Sequence, residues 1–430
     1  NLLNEVGGGY RLGYFDSNLN FQQLGYTSQT AISVVKTQNV YYAKSGSWWG
    51  YYDTLTSDIA VGCWHLQLPE VYGDYQQAVT AASGVQGGFP AWIDGSYYVR
   101  VGAYLDKDSA LAAQTALGLT AATVVGTSSA GVSVVVTGTS TVIFQFDSTA
   151  GLSLAVKPGL DESVKTETIF RGNTYYGSFE YQRTGGGNLT VVNVVGLEDY
   201  VQGVIIHEMN ASWPLEALKA QAVCARTYAY RSLISSKHAS QGFNLCNTND
   251  CQVYSGIASA SDNSRRAVEE TRGQYAFYNG SLAETVYFSS DGGATESAVN
   301  VWGSDVPYLV GKEDPYEAAV AGKIDNYNWT VTFTAQELTD LLNSSGMLNS
   351  GIVDLQVTRT TPTGNVLEIT FTDSSGKSWS KIKESCRTFL GLRSQRYTIS
   401  SGGGTSSGTS AGHAVTGGGT LTSMDGGYAV

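Results

Sequence analysis

One strongly helical stretch near the middle of the chain, residues 197–230, constrains the fold most, because most other patterned segments alternate like strands. The 430 residues include 51 Gly and 27 Tyr but only 3 Met, a composition typical of a turn-rich β protein. A chain of this length is expected to form two or three domains. The sequence therefore predicts a β-rich α+β protein with a helical centre.

Charge and composition argue against several functional classes. The chain has 25 Lys and Arg against 37 Asp and Glu, a net charge of −12, which repels polyanions and argues against nucleic-acid binding. Its apolar runs are too short to cross a bilayer, so no membrane span is expected. Five cysteines are too few for a disulfide scaffold. The chain begins with Asn rather than Met, which indicates a removed leader or a trimmed chain.

The patterns divide the chain into four parts. Residues 1–58 form an N-terminal β unit, and residues 59–128 contain two βαβ passes. Residues 129–400 hold strands around the helical centre, and residues 401–430 are rich in Gly, Ser and Thr, which is typical of a flexible insertion or tail. The elements expected in the second part are strand 60–66, helix 75–82, strand 89–93, strand 97–104, helix 110–117 and strand 122–125.

The second of those passes resembles a known module. Its Val-Gly-Ala-Tyr at 101–104, which ends an alternating strand, and the Ala-rich helix that follows are similar to a SPOR domain, a module of bacterial envelope proteins. The resemblance implies binding to glycan strands that have been stripped of peptide. A generic small α+β domain is the alternative, because the motif is short and degenerate.

Glu208 is the best-placed acid of the helical centre. Val201, Val204 and Ile205 form the apolar stripe of helix 196–208, and Glu208 follows them on the same face. Burial there would disfavour the charged form of its carboxyl, which is the condition for a general acid at neutral pH. The alternative is a solvated acid or a structural ion-pair partner.

Two cations lie on the next helix. Ser212 is its expected N-cap and Pro214 fits its first turn. Lys219 and Arg226 share one stripe of this helix, where they could face Glu208 or simply form a solvated surface.

A long segment carries the strongest resemblance. Residues 208–228, which read Glu-Met-Asn-Ala-Ser-Trp-Pro-Leu-Glu-Ala-Leu-Lys-Ala-Gln-Ala-Val-Cys-Ala-Arg-Thr-Tyr, resemble the signature of the SpoIID/LytB family, the stage II sporulation protein D and amidase-enhancer proteins of bacteria. Further similarities follow in the family's order at residues 252–256, 291–296, 301–303, 307–309 and 390–394. The resemblance covers about 130–400 and implies a SpoIID-type catalytic domain that also includes 1–58, with the SPOR-like module inserted.

The resemblance implies a lytic transglycosylase that cuts peptidoglycan glycan strands without a cofactor. Glu208 matches the family's catalytic acid/base, and Lys219, Arg226 and Tyr308 match its supporting residues. Val310 stands where some members have Lys. The implied location is extracellular, at the cell wall, with a possible tether in a removed N-terminal segment. The chain is also expected to stop before the family's last segment.

In this mechanism, protonated Glu208 donates to the glycosidic oxygen and then deprotonates the muramic C6 hydroxyl, which closes a 1,6-anhydro ring. One carboxylate is enough, whereas hydrolysis generally needs two. Asp291, Glu296 and Glu216 are the candidates for a second one. The alternative function is a non-catalytic, glycan-binding enhancer of a cell-wall amidase.

A glycine loop at 289–295 can bring backbone N–H groups close to a sugar, or can be an ordinary tight turn. Its candidate substrate-binding residues are Ser290, Asp291 and Gly292. Family members usually have Ser or Cys at the position of Asp291. The rings of Tyr254, Trp302 and Tyr308 could stack on sugars or pack in the core.

His238, Cys246 and Cys251 form the one cluster of metal-ligand residue types. Their spacing matches no standard zinc finger, and the sequence shows no fourth ligand. Three alternatives remain open: a structural zinc site like that of some sporulation-type relatives, a Cys246–Cys251 disulfide, and free thiols.

Overall fold

The structure is a computed structural model that describes residues 1–4, 8–126, 128–183, 188–235 and 237–400, together with the backbone of 420–423. The chain forms two compact units, unit 1 (Asn1–Thr285) and unit 2 (Val286–Val430). Strands outnumber helices among the described residues, which confirms the predicted β-rich α+β class.

Unit 1 contains the larger share of the strands and both long helices. Its strands are β1 (Leu2–Leu3), β2 (Tyr10–Phe15), β3 (Phe21–Thr27), β4 (Ala31–Lys36), β5 (Val40–Ser45), β6 (Trp48–Tyr52), β7 (Ala60–Val61), β8 (Trp64–Gln67), β9 (Gly88–Ile93), β10 (Ser96–Tyr104), β11 (Thr123–Val125), β12 (Val132–Val136), β13 (Val142–Asp147), β14 (Leu154–Pro158), β15 (Thr168–Phe170), β16 (Asn173–Tyr175), β17 (Ser178–Arg183), β18 (Leu189–Val194), β19 (Phe277–Tyr278) and β20 (Ser281–Leu282). Its helices are α1 (Tyr75–Ser83), α2 (Lys107–Ala116), α3 (Leu197–Glu208), α4 (Leu215–Ser235) and α5 (Asp262–Glu270), with a 3₁₀ turn at Ala239–Gln241.

Two large sheets carry unit 1. The larger has the strand order β11-β8-β10-β9-β13-β12-β4-β1-β15-β16, and the second has the order β18-β17-β14-β2-β3. Strands β5, β6 and β7 form a small separate sheet, and β19 and β20 form a hairpin.

Residues 59–128 form a β-α-β-β-α-β arrangement, in which β8, α1, β9, β10, α2 and β11 follow one another. Five of the six expected elements are present, whereas the expected strand 60–66 is divided into β7, which pairs with β5 in the small sheet, and β8. The strand order β11-β8-β10-β9 interleaves the two passes in one antiparallel arrangement. Asp74 and Asp106 cap the two helices by accepting from the backbone N–H groups of Gln77 and Ser109. Parallel pairing of β9 with β13 continues the sheet into the rest of unit 1.

The helical centre packs against this β-structure. Val201, Val204 and Ile205 of α3 are fully buried in the main core, as their spacing predicts. On α4 the fully buried apolar positions are Leu218, Ala222, Ala225 and Ala229. Small alanines on α4 allow close approach of its neighbours.

Unit 2 begins inside the predicted 129–400 domain, so that domain is shared between the two units. Unit 2 has an apolar core of its own, which includes Leu338, Ile369 and Phe371. Its elements are α6 (Ala298–Val301), β21 (Thr330–Thr332), α7 (Ala335–Ser344), β22 (Ile352–Thr360), β23 (Val366–Asp373), β24 (Ser378–Ile382), α8 (Ser385–Thr388), β25 (Tyr397–Ser400) and β26 (Thr420–Ser423), with a 3₁₀ helix at Glu317–Lys323. The predicted tail 401–430 lies outside the described residues except for β26, which pairs with β21 and β25.

Among the described residues, no helix combines the length and the apolar character needed to cross a membrane.

A buried polar network joins strands β8 and β10 to strands β12 and β13. His65 of β8 contacts the Gly102 carbonyl through Nδ1 (2.6 Å) and the Gln145 amide nitrogen through Nε2 (3.1 Å). A carbonyl can only accept, so Nδ1 carries the proton and Nε2 accepts from the amide. Gln145 in turn accepts from Arg100 and donates to Ser133. Burial, more than the nearby Arg100 charge, lowers the pKa of His65 to about 4.

This network predicts acid sensitivity. The unfolded chain protonates His65 near pH 6.5, whereas the folded protein resists protonation until about pH 4. The stabilisation present above pH 6.5 is therefore lost as the pH falls towards 4, by roughly 2 to 3 kcal/mol. In urea unfolding followed by circular dichroism, we expect His65→Asn to be less stable than the wild type at neutral pH but to lose less stability on acidification. Equal pH slopes for the two proteins would contradict this account.

Candidate functional site

Glu208 is the last residue of α3 and is half-buried. The backbone N–H of Val253 donates to its Oε1 at 3.0 Å. The adjacent His207 is exposed. The carboxylate is thus oriented by a backbone donor, with part of its surface open to solvent.

The segment 252–256 holds that donor in place. Gln252 is buried between two helices, where its Oε1 accepts from the Tyr200 hydroxyl of α3 (3.2 Å) and its amide donates to the Ala225 carbonyl of α4 (3.4 Å). Because Val253 follows Gln252 directly, the α3–α4 packing fixes its N–H opposite Glu208.

Tyr254 is a core residue. Of the two alternatives for its ring, stacking on a sugar and packing in the core, the structure shows packing. It is 6% exposed and donates from its hydroxyl to Asn193 Oδ1 at 2.8 Å. Its ring lies over α3 at Gly203, where an added Cβ would come within 2.4 Å of the ring. Gly203 therefore lets α3 approach the segment that carries the Glu208 donor.

Arg226 is fully buried, which excludes a ligand from its guanidinium in this conformation. Its Nε and Nη2 bind both carboxylate oxygens of Glu198, at 2.7 to 3.1 Å. Its other acceptors are the carbonyls of Ala222, Val268 and Gln274 and the hydroxyl of Thr271. The residue expected to bind substrate instead joins α3, α4 and the end of α5.

Lys219 is also occupied. Its Nζ bonds to Glu216 Oε1 (2.8 Å) and Glu270 Oε2 (2.7 Å), and these bonds raise the pKa of Lys219. Among the ion pairs of the described residues, none joins Glu208 to either Lys219 or Arg226. The cations predicted near the acid thus pair with other acids.

His238, Cys246 and Cys251 come together in the loop after α4, and Asp250 joins them. His238 Nε2 lies 3.2 Å from Cys251 Sγ and 3.4 Å from Asp250 Oδ2, and Cys246 Sγ lies 3.7 Å from Asp250 Oδ2. Bonds of zinc to N, O and S ligands imply ligand separations of roughly 3.3 to 3.8 Å in a tetrahedral site. The separations of these donor atoms are compatible with a tetrahedral zinc site, in which Asp250 would be the fourth ligand that the sequence did not reveal.

Ser290, Asp291 and Tyr308 line a cavity of about 650 Å³ that lies wholly within unit 2. The loop at its edge is held by Glu317, which accepts from the Ser290 hydroxyl and from the N–H groups of Asp291 (2.8 Å) and Gly292 (3.0 Å). Gly292 has φ +66°, which favours glycine there. The predicted glycine loop thus exists, but its N–H groups bind a protein carboxylate.

Asp291 and Glu317 are adjacent carboxyl groups. Burial, together with the bond to Glu317, raises the pKa of Asp291 to about 7. Although burial opposes it, hydrogen bonds from Asp291 and Ser290 hold the pKa of Glu317 below its usual value. Near neutral pH Asp291 is therefore partly protonated, whereas Glu317 is ionised.

Glu296 is unsuited to the role of second catalytic carboxylate. Its oxygens accept from the hydroxyls of Thr361 and Thr363 and from the amides of Asn365 and Asn300. These bonds contribute to lowering the pKa of Glu296 below its ordinary value despite its partial burial, and its role here is to hold unit 2 together.

Four residues that matter here were not singled out from the sequence. Glu198 was visible only as an acid at a helix N-terminus. Val253 acts through its backbone, which carries no residue-specific signal. Asp250 and Glu317 meet their partners across loops, and only the adjacency of Asp250 to Cys251 could have suggested a ligand.

Comparisons with known proteins place this geometry in context. Residues 185–278 match the model of the SpoIID family, described as stage II sporulation protein. The amidase enhancer of Bacillus subtilis strain 168 is 43% identical over 138 residues, 32% of this chain and 17% of that protein. Stage II sporulation protein D of the same strain is 35% identical over 168 residues, 36% of this chain and 48% of that protein.

Stage II sporulation protein D of Bacillus amyloliquefaciens is 32% identical over 230 residues, half of this chain and 63% of that protein. The matches thus span less than two thirds of each of these relatives. The family-model match, which contains Glu208, Lys219, Arg226 and the 252–256 segment, confirms the predicted SpoIID/LytB resemblance.

The buried Arg226 gives a testable prediction. Lys in its place cannot bind Glu198 through two nitrogens and leaves several buried acceptors unpaired, so we expect Arg226→Lys to cost roughly 3 kcal/mol in the free energy of unfolding. Arg231→Lys is the matched control, because Arg231 lies on the same helix but is 46% exposed and pairs at 3.4 Å with Glu284. Chemical denaturation measures both variants, and equal stabilities would refute the bridging role.

Proposed function

We propose that this chain, with its SpoIID segment, acts on the bacterial cell wall as a peptidoglycan lytic transglycosylase with Glu208 as its general acid/base. The observation that carries the proposal is the placement of Glu208, which is half-buried at a helix end and held by the Val253 N–H. Within the part of the chain that the structure describes, its carboxylate forms no ion pair. A carboxyl group that is held in place and partly open to solvent can reach a bound substrate, which is the geometric requirement for a general acid/base.

The two carboxyl oxygens of Glu208 have different roles in this proposal. Oε1 accepts from Val253 N–H, so Oε2 is the oxygen available for proton transfer. Protonated Oε2 donates to the glycosidic oxygen as the bond to the muramic C1 breaks. The resulting carboxylate takes the proton of the C6 hydroxyl, whose oxygen bonds to C1 and closes the 1,6-anhydro ring. No water is consumed, and no second carboxylate is needed.

Glycan strands are the proposed substrate, and Ser290, Asp291, Gly292 and Tyr308 are proposed to contact them in the unit 2 cavity. The β-α-β-β-α-β module at 59–128 is proposed to act as the SPOR-like anchor on strands without peptide, which raises the effective concentration of substrate. The location that goes with these proposed assignments is outside the cell, at the wall.

The similarity to the amidase enhancer favours one alternative, in which the chain binds glycan and enhances a cell-wall amidase without cutting. The structural use of Lys219 and Arg226 is compatible with it, because neither side chain faces a free ligand site. The two functions differ in their dependence on Glu208.

We also propose a structural zinc ion bound by His238, Cys246, Asp250 and Cys251. Support comes from the converging donor atoms and from His238 Nδ1, which lies 2.8 Å from Gln241 Oε1 and so leaves Nε2 for the metal. When bound, zinc would cross-link the loop that leads into Val253. Catalysis itself requires no cofactor in this proposal.

Glycan strands with and without peptide stems, analysed by mass spectrometry, test the enzyme. We expect the wild type to produce 1,6-anhydro-muramic ends from stem-free strands and Glu208→Gln to lose at least about 100-fold in rate, because the amide cannot transfer the proton. Glu216→Gln is the matched control, since Glu216 is exposed and the Lys219 pair with Glu270 survives its loss.

The other outcomes discriminate between mechanisms. Reducing ends in place of anhydro ends would show hydrolysis. Retained glycan binding without cleavage by the wild type would favour the amidase enhancer.

Elemental analysis of the purified protein tests the metal. We expect about one zinc per chain, lost in Cys251→Ala and weakened in Asp250→Asn, because four protein ligands complete a structural site. Cys224→Ala is the control, because Cys224 lies outside the cluster on α4. A zinc-free wild type whose mass is lower by two hydrogens would instead show the Cys246–Cys251 disulfide.

A further inference from the structure

We propose that the unit 2 cavity binds a hexosamine whose amino group is free and protonated, with the ammonium seated beside Asp291 and Asp314. The inference rests on the proposed function in one respect, namely that the ligand is a glycan. It goes further in specifying which sugar of the strand this cavity selects.

The cavity has the form of a saccharide site. Its volume of about 650 Å³ is within the usual range for ligand pockets. Trp302, Tyr308 and Phe288 are among its walls, and Trp302 and Phe288 remain 58% and 45% exposed. Open aromatic faces beside polar groups suit pyranose rings, which present C–H groups on one face and hydroxyls at their edges.

The charge of the lining decides between sugars. Asp291, Glu296, Glu313, Asp314 and Glu384 line the cavity, whereas Lys312 is the one basic residue among its lining residues. An anionic ligand would be repelled there, and a neutral N-acetyl group would gain nothing from the field.

Two of those acids are already satisfied. Glu296 is surrounded by hydroxyl and amide donors, and Glu384 pairs with Arg387. Asp291 and Asp314 have no ion pair among the described residues, and each accepts instead from a backbone N–H. Glu313, the fifth acid, is exposed to solvent, so the partly buried negative charge available to a ligand is concentrated on Asp291 and Asp314.

A third carboxylate, that of Glu317, lies close to Asp291 and Asp314. Oxygens of Asp291, Asp314 and Glu317 are all within 4.8 Å of one another. Glu317 is 8% exposed and stays ionised through its three donors. Without a cation, the group relieves its repulsion by keeping a proton on Asp291, whose pKa is raised to about 7.

An ammonium group can take over the role of that proton. It brings a full positive charge and three donors to oxygens that lack a counter-charge, and bonds between charged groups are the stronger class of hydrogen bond. The de-N-acetylated hexosamine is the glycan component with this chemistry, and N-acetylation removes both the charge and two of the donors.

Calorimetric titration with glucosamine tetramer and with N-acetylglucosamine tetramer tests the proposal at neutral pH. The Glu208→Gln background prevents cleavage and separates this test from that of the proposed function. We expect the glucosamine tetramer to bind more tightly, and Asp291→Asn to weaken it about tenfold while changing the affinity for the acetylated tetramer little. Asn keeps the oxygen that accepts from the Gly293 N–H, and Asp314→Asn is a second isosteric variant with the same expected effect.

Asp305→Asn is the matched control, because Asp305 is an exposed acid of unit 2 that does not line the cavity. It changes the net charge of −12 by the same amount as Asp291→Asn. Equal or tighter binding of the acetylated tetramer would overturn the proposal, as would no binding of either sugar. An effect of Asp305→Asn as large as that of Asp291→Asn would also overturn it, by showing general attraction to an acidic protein.

Discussion

The guanidinium of Arg226 joins three helices of unit 1 at one buried point. It binds both oxygens of Glu198 at the start of α3, the Val268 carbonyl near the end of α5 and the Ala222 carbonyl of its own helix. Burying a charge is costly unless it is paired and all its donors are used, and that condition restricts how α3, α4 and α5 can pack. The site depends on the resulting arrangement, because Gln252 spans α3 and α4 and delivers the Val253 N–H to Glu208.

This arrangement separates the cations from the acid. Arg226 is satisfied by Glu198, and Lys219 by Glu216 and Glu270. Had either cation paired with Glu208, it would have stabilised the carboxylate and opposed proton donation. Other acids thus neutralise both cations, and Lys219 and Arg226 contribute to helix packing rather than to a contact with Glu208.

The sequence predicted those parts of the molecule that depend on local periodicity. The elements of residues 59–128 and the apolar stripe of α3 follow from spacing alone, and the long motif located Glu208. The sequence could not predict which acid pairs with Arg226, because Glu198 is 28 residues away and tertiary packing determines the pairing. The sequence also did not single out Val253 and Asp250. Val253 acts through its backbone N–H, and Asp250 comes close to His238 and Cys246 only through the fold of its loop.

The same reasoning explains why Asp291 differs from the acids around it. Three neighbouring acids already have partners. Glu296 accepts from the Thr361 hydroxyl, Glu384 pairs with Arg387, and Glu317 accepts from the Gly292 N–H of the glycine loop. Asp291 is left with one backbone donor and a retained proton. A partly buried acid whose pKa is raised by burial and by a neighbouring carboxylate gains more from a nearby cation than an acid that already has partners. That difference, more than the shape of the cavity, gives a charged amino sugar its advantage over a neutral one.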